Sequence, residues 1–164
     1  MYLRSFVFGV EDSLVSTVGM LSGVAIAGLE RRQIFLAGIV LIFVEAFSMA
    51  VGSFLSEHSA ENYFKQGETP LRYSYKAGTI MFFSYFVTGF IPLFPYIILP
   101  ISSAFWLSIA LSLATLFLLG VTGAQIAKTR IFKSGLRVLI VGGVAIAIGV
   151  IVGSVVQGFQ AFPG

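Results

Sequence analysis

The chain has 164 residues, of which 57% are hydrophobic and 10% charged, with 18 glycines and a formal net charge of +3. An ordinary soluble domain carries about 25% charged residues, so a soluble globular fold is excluded. With roughly 20 apolar residues needed per bilayer crossing, the length allows at most about seven spans and no sizeable aqueous domain.

No basic block stands apart from the apolar stretches, so nucleic acid is not expected as a partner. The chain has no cysteine, which removes disulfides, zinc thiolates, iron–sulfur clusters and thiol nucleophiles. His58 is the sole histidine, too few for a membrane di-iron or haem enzyme. Residues 1–10 carry a single Arg4 and run into Glu11 and Asp12. They lack the apolar stretch and cleavage site of a signal peptide, so the first span is expected to be retained.

Four uncharged tracts follow: Ser13 to Leu29, Gln33 to Ser56 interrupted by Glu45, Ala77 to Ala127, and Val138 to Gly164. The third has 51 residues, about 75 Å as helix, too long for one crossing of a roughly 30 Å core. It must fold back, and Pro92, Pro95 and Pro100 supply the break, since each lacks an amide proton and disfavours helix in the residue before it. The pattern predicts an all-α integral membrane protein of one domain, 1–164, with five spans at about 6–29, 33–56, 75–92, 97–126 and 135–159.

Five spans place the termini on opposite sides. Arg4, Lys65, Arg72, Lys76, Lys128, Arg130, Lys133 and Arg137 fall on one side, and only Arg31 and Arg32 on the other. The cation excess puts the N-terminus in the cytoplasm and the C-terminus outside. The link at 57–74 is the only one long enough for structure of its own.

Glu45 sits at the midpoint of the second tract, where an ionised side chain costs roughly 2.5–3.5 kcal/mol. Twelve Ile, Leu, Val and Phe residues between Ile34 and Phe54, at roughly 0.3–0.6 kcal/mol each, still favour insertion. Intramembrane carboxylates mark functional sites by default; the plainer alternative is a protonated Glu45 bonded to a neighbouring helix. At about 100° per residue, Gly38, Glu45, Ser48, Met49, Gly52 and Ser56 share a side of the helix. A carboxylate and a thioether on one face suit a transition metal better than Mg²⁺ or Ca²⁺. Gly38 and Gly52 admit a close neighbour.

On the first helix, Asp12, Ser16, Gly19 and Gly23 form a similar stripe, and Gly19 and Gly23 have close-packing spacing. Glu11 points about 100° away, toward the headgroups. Met81, Ser84, Tyr85 and Thr88 of the third helix, Ser108, Ser112, Thr115 and Thr122 of the fourth, and Gly142, Gly149 and Gly153 of the fifth read as packing faces. Glu57, His58, Glu61 and Glu68 read either as a solvated helix end or as a metal-collecting entrance on the cytoplasmic side.

Gly9-x-x-Asp12-Ser-Leu-Val-x-x-x-Gly19-x-x-x-Gly23, then Glu45-Ala-x-Ser48-Met49-Ala-x-Gly52-x-x-Leu55-Ser56, then Gly89-Phe-x-Pro92-Leu-x-Pro95-Tyr96 resemble the vacuolar iron transporter (VIT) family over essentially the whole chain. The resemblance implies a proton-coupled exporter of Fe²⁺, with Mn²⁺ as a further substrate, working as a homodimer with the ion path near the dimer interface and Asp12 and Met49 lining it. Two departures stand out. Plant-type members carry a glutamate-rich cytoplasmic metal-binding domain between helices two and three, where this chain has only a short link. Their intramembrane glutamate falls at the position of Leu41, one turn from Glu45. The usual glycine after the aspartate is also replaced, by Ser13.

The function expected is therefore export of Fe²⁺ or Mn²⁺ by proton exchange. Asp12, Glu45, Met49, Ser48 and Ser16 would line the path, and Glu57, His58 and Glu61 the entrance. Gly19, Gly23, Gly38, Gly52, Gly149 and Gly153 would pack helices. No permanently bound cofactor is expected; the partners are the bilayer, divalent ions, protons and a second copy. A prokaryotic plasma membrane is expected over an organelle membrane. The rival readings are a transporter of another solute and a non-transporting metal sensor or scaffold. An intramembrane enzyme is disfavoured, since no Ser–His or Ser–Lys pair falls within the spans.

Overall fold

In lipid a segment must satisfy its own backbone hydrogen bonds, and apolar tracts of this length do so as helices. The structure, a computed structural model, describes residues 2–66, 71–126, 128 and 130–160, apart from the side chains of residues 72, 73 and 160. Five α-helices follow one another: α1 Tyr2–Ile26, α2 Arg31–Lys65, α3 Arg72–Ile98, α4 Ile101–Ile126 and α5 Ile131–Gln160. All five are long and apolar enough to cross a membrane, and the described residues contain no strand. The chain is an all-α, multi-pass membrane protein.

Contacts fix the helix directions. Gly9 lies beside Met81 and Ser84, and Ser13 beside Gly89, so α1 and α3 run the same way. Gly19 meets Ala145 and Gly23 meets Gly149, so α5 runs with them. Gly38 against Leu93 with Gly78 against Ala50, and Gly120 against Gly135 with Gly142 against Leu116, set α2 and α4 in the opposite sense. The α1–α2 and α3–α4 turns therefore share one end of the bundle, with the N-terminus and the longer links at the other. α1 is the hub, touching all four other helices, whereas α2 rests chiefly on α3. Half of the most apolar stretch of α1 is buried, against 11% for α5.

The α1–α2 turn uses Gly28 at φ +86°, a conformation open to a residue without Cβ. Glu30 then starts α2, its N–H donating to Gln33 Oε1 at 2.9 Å, which satisfies one free donor at the helix end. The guanidinium of Arg31 donates to the Ile97 carbonyl at 2.7 Å, tying the start of α2 to the end of α3.

The break expected at residues 92–97 falls later. α3 runs through Pro92 and Pro95 to Ile98, and both prolines are buried in the bundle. A proline frees the carbonyl four residues before it, that of Thr88 at Pro92 and that of Ile91 at Pro95, a loss membrane helices tolerate where protein surrounds them; Ser108 Oγ of α4 donates to the Pro92 carbonyl itself at 2.7 Å, tying α4 to this stretch of α3. Pro100 ends the helix, holding Leu99 extended at φ −113°, ψ 157°, as the residue before a proline prefers. α2 likewise outruns its expected limit at Ser56. Its 35 residues extend about 52 Å, well past a roughly 30 Å hydrocarbon core, so most of the expected 57–74 link is helix. Glu68 lies outside the described residues.

The interior holds an apolar cluster of Leu21, Ile34, Ile42, Leu93 and Tyr96. Gly38 leaves the space that Leu93 and Leu21 fill. The α1–α5 seam is tighter: a Cβ on Gly149 would strike the Gly19 carbonyl, and one on Gly153 the Gly23 carbonyl. Gly52 is different, since nothing lies within 4 Å of where its Cβ would stand; it packs no helix and instead borders an open cleft between α1, α2 and α3.

The seam yields a paired prediction. Gly149→Leu must separate backbone from backbone and should destabilise by roughly 1–3 kcal/mol, seen as a lower melting temperature in detergent. Gly143→Ala, on the same helix with nothing within 4 Å, should leave melting unchanged; equal losses would contradict the seam.

Candidate functional site

Asp12 and Glu45 each lie fourteen residues from the α1–α2 turn, counted from Ile26 and Arg31, roughly 21 Å along their helices. They therefore share one depth, and they stand within electrostatic reach of each other. Tyr85 of α3 reaches the same level, its hydroxyl in the field of both carboxylates and sharing a 2.5 Å hydrogen bond with Ser16 Oγ. Ser13 Oγ donates to the Tyr85 carbonyl at 2.7 Å, locking α1 against α3 one turn below Ser16. Thr17, buried at the same place, brings a second hydroxyl to that of Tyr85.

Glu45 is half-buried and lines an open groove of about 530 Å³ with Met20 of α1 and Gln33, Leu41 and Val44 of its own helix. Leu41 and Glu45 thus open into one groove a turn apart. Met49 is half-buried too, but it lines a separate cleft of about 270 Å³ toward the N-terminal end of the bundle, between α1, α2 and α3. The single face expected on α2 is therefore divided. A four-residue step advances about 6 Å and turns about 40°, enough to carry the thioether past the narrow α1–α2 contact into the next opening. Ser48 is exposed on the outer surface and enters neither cleft. Ser16 is engaged with Tyr85 and also borders a groove between α1 and α5.

The expected entrance residues do not converge. Glu57 lines the Met49 cleft, whereas His58 turns aside, bonding Asn62 at 3.1 Å and stacking on Phe54. Among the described residues no group of three or more His, Asp or Glu side chains is placed to hold a metal ion. Glu57 and Glu61 are on successive turns of one helix, and their i,i+4 spacing does not bring His58 to the same side.

Tyr85 was legible only as part of a packing face, since a lone tyrosine in an apolar span carries no spacing signal. Its place at the level of the two acids comes from the parallel α1–α3 contact.

The arrangement offers oxygen ligands at mid-depth and a sulfur one step nearer the N-terminal end, a donor sequence matched to a borderline divalent ion. The model of the VIT family matches residues 3–72 and 65–154, most of the chain. The chain belongs to the VIT family. It is 28% identical over 166 residues to vacuolar iron transporter homolog 1 of Arabidopsis thaliana, across 90% of this chain and 79% of that protein. Shorter matches link it to vacuolar iron transporter homologs 5 and 1 of Oryza sativa subsp. japonica, at 38% over 55 residues and 36% over 58, covering 26% and 25% of those proteins. In this VIT family member Asp12, Glu45 and Met49 all fall inside the matched region.

The native absence of cysteine allows a direct check of the pairing. With Asp12→Cys and Glu45→Cys together, a short bifunctional thiol reagent should join α1 to α2 within one chain, read after cleavage between them. Asp12→Cys with Phe47→Cys, the latter on the exposed side of α2, should not join; the reverse pattern would contradict the shared depth.

Proposed function

We propose that this protein carries Fe²⁺, and Mn²⁺ as a second substrate, out of the cytosol in exchange for protons. The observation that carries the reading is the pair Asp12 and Glu45, at one depth in two membrane-spanning helices and within each other's field. Two carboxylates at that depth in a low-dielectric setting are held at lower cost with a proton or a cation at hand. A proton and a metal ion are the alternative occupants, and each excludes the other because the metal binds only deprotonated oxygens. That exclusion is the basis of exchange. Met49 supplies a sulfur contact on the way in, and the similarity to proteins named as iron transporter homologs supports iron as cargo.

Orientation follows from the Lys and Arg asymmetry, which favours a cytoplasmic N-terminal end. Metal then enters by the Met49 cleft and leaves past the α1–α2 turn. The membrane we propose is a plasma membrane; the plant relatives have "vacuolar" in their names, which would be the same movement away from the cytosol. The groove that holds Glu45 opens sideways, beside the exposed Leu36, Val40 and Val44 of α2. A lateral opening beside a carboxylate at hydrocarbon depth calls for a cover, and we propose a second copy of the chain, giving a homodimer with the path near its interface.

In proteoliposomes, Glu45→Gln should lower Fe²⁺ uptake roughly tenfold or more and abolish the accompanying proton flux, since the amide cannot exchange a proton for a cation. Uptake at the unsubstituted rate would overturn the role of Glu45. Metal binding without flux in the unsubstituted protein would replace transport with sensing.

A further inference from the structure

Of the four methionines in the chain, two meet in one place. Met49 of α2 and Met81 of α3 both line the 270 Å³ cleft at the N-terminal end of the bundle. Their depths agree: Met49 is eighteen residues from Arg31 and Met81 seventeen from Ile98, about 26 Å along each helix from the opposite end. Gly9 of α1 makes room for the second sulfur, with Met81 Sδ 3.1 Å from where a Cβ would stand. Ser84, beside it, spends its hydroxyl on the Ile80 and Met81 carbonyls of its own helix.

Apolar packing does not account for the rest of the lining. Glu57, Ser53, Ser56 and Arg4 line the cleft with the two thioethers. The volume exceeds that of several water molecules, each about 30 Å³, so an ion fits with part of its hydration shell. The Glu57 carboxylate attracts a cation, Arg4 moderates that pull, and two soft sulfurs favour Fe²⁺ or a softer ion over Mg²⁺ and Ca²⁺, which prefer oxygen shells.

We infer that Met81 joins Met49 in a two-sulfur vestibule, gathered from α2 and α3 with Glu57 in its lining, which selects soft and borderline metal ions before they reach Asp12 and Glu45. The vestibule rests on the transport reading for its purpose, but its binding chemistry is testable without transport.

The test is protein labelled with ¹³C in the methionine methyl groups, in nanodiscs, titrated with Ag⁺ as a diamagnetic, sulfur-seeking probe and with Mg²⁺ as a hard one. Ag⁺ should shift the Met49 and Met81 signals together, with one affinity, while Mg²⁺ shifts neither. Met81→Leu should weaken the Ag⁺ response at Met49 roughly tenfold, and Met49→Leu should do the same at Met81. The two substitutions nearly conserve volume, and either one suffices for the test. Ag⁺ shifting Met49 while Met81 stays still, or two independent affinities, would overturn the vestibule. Because the signals report binding alone, joint shifts in a protein that moves no metal would uphold the vestibule and sink the transport reading, whereas metal flux with a silent Met81 would do the opposite.

Discussion

Carrying one acidic side chain into the hydrocarbon of a bilayer costs roughly 2.5–3.5 kcal/mol, and this bundle carries two to the same level on adjacent helices. The arrangement is tolerable only if a proton or a cation is always at hand, so the chemistry of the site follows from the packing that fixes those levels. α1 is held centrally by the carbonyl-to-glycine seam with α5 and by the Ser13 and Ser16 bonds to Tyr85. α2 starts from a short turn, pinned to α3 through Arg31. Equal distances from that turn then put Asp12 opposite Glu45.

The order of donors along the bundle axis has a physical sense. Sulfur and one carboxylate come first, near the N-terminal end, and the paired oxygens lie deeper. Soft ligands bind transition metals without demanding full charge neutralisation, which suits a place of selection; paired carboxylates bind through charge, which suits competition with protons.

Much of this was readable in the sequence. Five helices followed from tract lengths, and the candidate acids stood out because charge inside an apolar run is costly. The helix break falls later than the prolines suggest, because a proline in a membrane helix removes one backbone bond without ending the helix where the stretch is buried in protein, as Pro92 and Pro95 are. The α2 stripe reads as one face in the sequence, yet α2 leans on α3 and touches α1 narrowly, so Glu45 opens into one groove and Met49 and Gly52 into another. Periodicity tells which side of a helix a residue takes; it does not tell which neighbour covers that side. For the same reason Tyr85 and Met81 read as packing, since their significance depends on α3 lying parallel to α1.

The most direct measurement is anomalous diffraction at the manganese edge from crystals of the protein soaked in Mn²⁺. The account predicts a peak within bonding distance of carboxylate oxygens from both Asp12 and Glu45, lost at low pH when protons take the metal's place. Metal confined to surface acids, with those two side chains turned apart toward lipid, would contradict it.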